Sequence, residues 1–268
     1  MKITLAVTTW NDEKIIKRFM EHHRPHVDEI VWVDDFSSDK TVEIVTPYID
    51  KRLISLTKEY ACEAYRQKLS ELSSNDWILM LDSDQFVDFG ILDKLREHAE
   101  KADLQDLFYY VFELETIKYN CGNCPVSGWK QMKFYNRKYI RWSIFPHCGA
   151  FNIKTGTMGV GGGLNEPILG KIWHLTKDCE GDEYKHRIDH MLRIYRWMDK
   201  CKYLVRTYTD ESYKVEREFC IQSFKMINMD LENDKYQCSR DPNKLIWIEN
   251  DAELETHLRN QGLHYITQ

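Results

Sequence analysis

A chain of 268 residues, 43% of them hydrophobic and 30% charged, is long enough for one sizeable core and has the composition of an ordinary globular protein. Its formal net charge of −6 argues against a general nucleic-acid binder, which needs a cationic face to displace counterions. No apolar run approaches the roughly 20 residues of a transmembrane helix, and the opening MKITLAVTTWNDEK lacks the apolar length and small-residue cleavage site of a signal peptide.

Short apolar runs alternate with amphipathic stretches over the first hundred residues. Ile3–Thr8 reads as a buried strand, and Asn11–His22 as a helix with Ile15, Ile16 and Phe19 on one face. Glu29–Val33 is a second strand, followed by a short helix with Ser38 as its N-cap. A strand at Leu53–Leu56, a helix at Cys62–Ser73, a strand at Trp77–Leu81 and a helix at Ile91–Ala102 complete the alternation. Strands separated by helical segments imply a mostly parallel open sheet flanked by helices, an α/β fold whose ligand crevice lies beyond the carboxyl ends of the strands.

The pattern changes after Asp103. Leu107–Glu115, Gln131–Tyr135 and Lys171–Leu175 read as strands, Glu183–Met198 as a helix, and Leu245–Glu249 as a strand. A last helix follows from Asn250, with Glu253 at capping-box spacing. Without a repeat or a Pro/Gly/Ser-rich linker, the chain reads as one domain over residues 1–200, divided into a 1–102 half and a 103–200 half. Residues 201–268 form a small C-terminal extension.

Three predicted strands end in polar residues: Thr8-Thr9-Trp10-Asn11, Asp34-Asp35 and Asp82-Ser83-Asp84. Parallel pairing would gather them on one rim. Carboxylates repel a diphosphate, but they can tether it through a hard divalent cation, Mn(2+) or Mg(2+). Alternate residues at an extended strand end share a side, so Asp82 and Asp84 can face one ion or one ribose. Aspartates also serve turns and caps, and the buried run Trp77–Leu81 ahead of this pair is what favours the functional reading.

The segments LAVTTWNDE, VWVDDFSSDKT and NDWILMLDSDQ resemble the N-terminal signature of family 2 glycosyltransferases with the GT-A fold, and Arg66 stands ten residues before Asp76, as an Arg usually does there. QMKFYNRKYIRW, GGLNEP and IWHL are similar to the subgroup typified by lipopolysaccharide-core transferases, with Asn165-Glu166 where a His-Glu pair usually sits. This resemblance implies a glycosyltransferase that moves a sugar from a nucleotide diphosphate donor to an acceptor hydroxyl on a glycan, lipid-linked or protein-linked acceptor. Thr8 and Asp35 would contact the base, Asp34 would support the loop, and Arg66 would approach the base or the diphosphate. Asp82 would hold the ribose or a metal-bound water, Asp84 would ligate the metal, and His174 would supply another metal ligand. An inverting displacement also needs a base, and Glu166 after the Gly159–Gly163 run is the candidate, with Asp182 and Glu183 in reserve.

Other signals are weaker. Trp129 and Trp142 are candidate acceptor platforms, although large aromatics at strand spacing are more often core. Lys185 and Arg187 are cations within reach of a diphosphate or simply a solvated helix face. Eight scattered cysteines suggest reduced thiols and a cytoplasmic setting, with peripheral membrane contact left open. Cys121 and Cys124, with His147-Cys148, provide only half of a clear zinc site. A sugar-nucleotide nucleotidyltransferase is the alternative enzyme, disfavoured by Thr9–Glu13 where a Gly-rich Arg-Lys loop belongs. A non-catalytic nucleotide-sugar binder is the alternative outside enzymes.

Overall fold

The structure is a computed structural model that describes residues 1–53, 62–117, 129–142, 150–154, 157–158 and 167–175. The strands are β1 (Ile3–Thr9), β2 (Glu29–Asp34), β3 (Lys51–Leu53), β4 (Trp77–Asp82), β5 (Gln85–Val87), β6 (Tyr109–Ile117), β7 (Trp129–Asn136), β8 (Ile140–Trp142), β9 (Ala150–Asn152), β10 (Thr157–Met158) and β11 (Ile168–Leu175). The α-helices are α1 (Ile16–His23), α2 (Thr41–Val45), α3 (Cys62–Leu72), α4 (Phe89–Leu92) and α5 (Leu95–Leu104).

One open sheet carries the fold, in the order β3-β2-β1-β4-β7-β6-β11-β5. The first four strands run parallel, as the α/β alternation implies. Beyond β4 the sheet is mixed: β7 is antiparallel to β4 and β6, β6 and β11 are parallel, and β5 is antiparallel to β11. A small antiparallel sheet, β10-β9-β8, stands apart from it.

Every residue of β1 and β2 is buried, as expected for strands covered on both faces. Alternation then divides their side chains. Ile3, Leu5, Val7, Ile30 and Trp32 join Phe19 and Met20 of α1 in one core cluster. The other face lies toward α3, which packs on β1, β2 and β3 and buries Tyr65, Gln67, Leu69 and Ser70.

Several boundaries differ from the sequence reading for identifiable reasons. α1 starts at Ile16 rather than Asn11, because Asn11 is held at φ 52 and the Asp12 carbonyl accepts from Ile15 and Ile16. Ser38 does not cap α2. Its N–H donates to Asn11 Oδ1 at 2.8 Å, and the helix begins at Thr41 after Lys40. The helix expected over Ile91–Ala102 is two pieces, α4 capped by the Asp88 side chain and α5. Strand β5 has no counterpart in the sequence reading. The domain boundary near residue 200, the extension, the helix Glu183–Met198 and the strand Leu245–Glu249 lie outside the described residues.

Candidate active site

The parallel register fixes the rim. Thr8 lies opposite Asp82 in β4, and Thr9 opposite Asp34 in β2. The two acidic clusters therefore sit at the carboxyl ends of β2 and β4, the strands on either side of β1.

The adjacent aspartates of β2 diverge. Asp34 Oδ1 accepts from Thr9 Oγ1 at 3.0 Å and Ser37 Oγ at 2.6 Å, and Oδ2 accepts from the Ser37 N–H at 2.8 Å. All of these bonds shape the loop after β2, where Phe36 takes φ 63. Asp35 points instead toward α3, where the Tyr65 hydroxyl donates to its Oδ1 at 3.2 Å.

Asp12, in the loop after β1, ties that loop to the one after β4. It is 3% exposed, and its Oδ2 accepts from the Ser83 hydroxyl at 2.6 Å and the Trp10 N–H at 3.0 Å. Its own N–H donates to Thr41 Oγ1 at 2.7 Å. The sequence reading folded Asp12 into a helix and missed this role.

Asp82 and Asp84 occupy different electrostatic settings. Asp82 Oδ1 meets Arg66 at 3.3 Å and Oδ2 meets Lys133 Nζ at 2.9 Å. Burial pushes the Asp82 carboxyl up, but Lys133 and Arg66 outweigh it and hold the group well below the usual carboxylate range. Burial in turn pulls Lys133 down, opposed by Asp82. Asp84 Oδ2 pairs with His174 Nε2 at 3.2 Å, across the register that sets His174 opposite Gln85. Burial would lower His174, but the Asp84 carboxylate prevails and raises it.

Among the described residues, Asp84 Oδ1 and His174 Nδ1 are buried with no hydrogen-bond partner. Buried polar atoms are rarely left so. A carboxylate oxygen beside an imidazole is a donor set that suits a divalent first-row ion, Mn(2+) more than Mg(2+). No group of three His, Cys, Asp or Glu side chains that could hold a metal occurs among the described residues, so Asp84 and His174 supply at most part of a shell.

Arg66 also lies over the Trp142 ring at 5.3 Å, and Tyr135 meets that ring edge-on at 5.5 Å. Trp142 is only 6% exposed, and its backbone N–H donates to Gln67 Oε1 at 2.8 Å. The ring is thus a wall beneath Arg66 rather than a surface open to an acceptor. Trp129 begins β7, and its side chain lies outside the described atoms. So do Asn165, Glu166, Gly159–Gly163, Asp182, Glu183, Lys185, Arg187, Cys121, Cys124, His147 and Cys148.

Lys133 and Tyr65 were also missed in sequence. Lys133 follows Met132 and precedes Phe134, a charge inside an apolar strand, and that interruption was the available signal.

Residues 4–153 match the family described as Glycosyl transferase family 2. An uncharacterized glycosyltransferase of Mycoplasma pneumoniae is 27% identical over 155 residues, a match that covers 53% of this chain and 46% of that protein. The matched region is thus about half the length of that relative. Among solved structures, S. aureus TarS is 14% identical with a TM-score of 0.40, covering 84% of this chain and 80% of that one. Glucosyl-3-phosphoglycerate synthase from Mycobacterium tuberculosis, in complex with Mn2+, UDP-glucose and phosphoglyceric acid, is 14% identical with a TM-score of 0.44, covering 75% and 79%. No helix among the described residues is long and apolar enough to cross a membrane.

Proposed function

Because the chain belongs to glycosyl transferase family 2, we propose that it transfers a sugar from a nucleoside diphosphate donor to an acceptor hydroxyl, with inversion and with a divalent metal. The observation that carries this reading is the single rim at the carboxyl ends of β2 and β4, on either side of β1, where Asp34, Asp35, Asp82 and Asp84 lie with Arg66 beside Asp82 and His174 beside Asp84.

Residues at the rim divide the work. Thr8 and Asp35 face the base, with the Tyr65 hydroxyl orienting the Asp35 carboxylate. Asp34 keeps the loop in shape through Ser37. Asp82 is the ribose partner, and Arg66, already within reach of it, stands near the diphosphate. Asp84 and His174 would hold the metal, the 3.2 Å approach of Asp84 Oδ2 to His174 Nε2 and the unpartnered Asp84 Oδ1 being what supports the assignment. A divalent ion bound there would neutralise charge on the departing diphosphate.

In the transfer, the acceptor oxygen bonds to the anomeric carbon as the bond to the diphosphate oxygen breaks, and the acceptor proton passes to a base. Glu166 is that base. The acceptor is a glycan or a lipid- or protein-linked saccharide, in line with the resemblance of QMKFYNRKYIRW and GGLNEP to lipopolysaccharide-core transferases. A cytoplasmic setting follows the cysteine usage.

A panel of nucleotide sugars with Mn(2+), read by donor hydrolysis and by heat of binding, tests the reading. Glu166→Gln is expected to bind the donor almost normally and turn over at least ~100-fold more slowly. Failure of every nucleotide sugar to bind, with metal or without, contradicts the proposal.

A further inference from the structure

Lys133 takes no part in the reaction just proposed, yet it is among the least accessible charges of the described residues. Its side chain is 4% exposed, on β7 between the buried Met132 and Phe134. Removing an ammonium from water is costly unless a partner compensates, and the partner is Asp82, at 2.9 Å. With Arg66 on the other oxygen at 3.3 Å, both oxygens of Asp82 carry a cationic neighbour. Asp84, two residues on, has only His174 on one oxygen and no partner on the other among the described residues. The two carboxylates of the Asp-x-Asp motif are therefore inequivalent, and Lys133 is a main source of the difference.

Resting on the glycosyl-transfer reading above, we propose that Lys133 is a positioning residue that stands in for metal charge on Asp82 and keeps that carboxylate out of the metal shell. Metal affinity rises with the number of charged ligands, and an ammonium beside a carboxylate opposes the approach of a second cation. Asp84 and His174 then bind a divalent ion weakly until the oxygens of a nucleoside diphosphate complete the shell. Asp82 stays available to the ribose, held by its salt bridges.

The test is Mn(2+) binding to the full chain without nucleotide, followed by the electron paramagnetic resonance of free Mn(2+) and by calorimetry. Lys133→Met frees Oδ2 of Asp82 while Arg66 keeps Oδ1, so Mn(2+) alone is expected to bind about tenfold more tightly or better. Lys133→Gln keeps an N–H for Asp82 but no charge, and is expected to show the same gain should the Met variant fold poorly. The double variant Asp82→Asn with Lys133→Met removes both partners and returns Mn(2+) affinity to the starting value. A merely structural lysine lowers Tm without tightening metal binding, and a lysine that contacts the diphosphate directly loses nucleotide affinity without a gain in metal affinity. Unchanged or weaker Mn(2+) binding in folded Lys133→Met and Lys133→Gln overturns the proposal. Titration of the unmodified protein with UDP and GDP in the presence of Mn(2+) separates the two levels. No nucleotide binding there sinks the transferase reading, whereas nucleotide binding without the gain in the lysine variants sinks only the role of Lys133.

Discussion

The parallel half of the sheet, β3-β2-β1-β4, and the mixed half, β7-β6-β11-β5, meet at Asp82 and treat polar groups differently. In the parallel half the rim groups are engaged: Asp34 with Thr9 and Ser37, Asp35 with Tyr65, and Asp12 with Ser83 and Trp10. In the mixed half a lysine is buried against Asp82, while Asp84 and His174 each keep a buried atom unpartnered among the described residues. One half thus spends its polar groups on holding loop geometry. The other leaves a buried charge and unpartnered polar atoms beyond the carboxyl end of β4.

The contrast is most sharply tested at the Asp82–Lys133 pair. Asp82→Ala leaves an ammonium that is 4% exposed without its partner, so a loss of about 3–5 kcal/mol in denaturant unfolding is expected. Lys133→Met leaves a carboxylate that is 33% exposed and can turn to water, so the loss is expected to be smaller, about 1–2 kcal/mol. Equal losses would mean that the pair is not buried asymmetrically.

Acid probes the core where α1 meets β5. His23 Nδ1–H donates to the Phe19 carbonyl at 2.9 Å, and its Nε2 accepts from the Val87 N–H at 3.4 Å, an arrangement that suits the neutral ring. Burial lowers its pKa from 6.5 to about 3. A depressed value means that the unfolded chain takes up the proton first as pH falls. Stability is therefore fully present above pH 6.5 and declines toward pH 3, by about 1.4 kcal/mol for each unit. His23→Gln should flatten that slope in urea titrations between pH 6.5 and 4.

Smaller effects are expected at the satisfied loops. Asp12→Ala removes the bonds from Ser83 and Trp10 and is expected to cost about 2 kcal/mol, with a raised KM for the donor as the two loops lose their tie. Tyr65→Phe should cost about 1 kcal/mol and weaken donor binding a few-fold while leaving kcat near its original value. A large fall in kcat for Tyr65→Phe would mean that Asp35 serves the chemistry rather than the base.

The parallel half was also the more legible in sequence. β1, β2 and β4 are runs buried on both faces, and such runs announce themselves as near-continuous apolar segments. Their polar ends then identify the rim without knowledge of the packing. The mixed half depends on registers that no local pattern encodes. Asp84 meets His174 only because the three-residue strand β5 pairs with β11, and that strand is too short for periodicity to reveal. Lys133 shows in sequence only as a charge between Met132 and Phe134, and its pairing with Asp82 depends on the antiparallel packing of β7 on β4. Asn11 and Ser38 mislead for a related reason: both are good cap residues, but they bond to each other across two loops instead of capping a helix.

The central claim, a metal-tethered donor at the rim, is tested most directly by calorimetric titration of nucleotide sugars into the protein and its Asp84→Ala variant, each with Mn(2+) and with chelator. The account predicts donor binding that requires the metal and falls by about 100-fold or more in the variant. Donor binding of equal strength with chelator, or undiminished in folded Asp84→Ala, would contradict it.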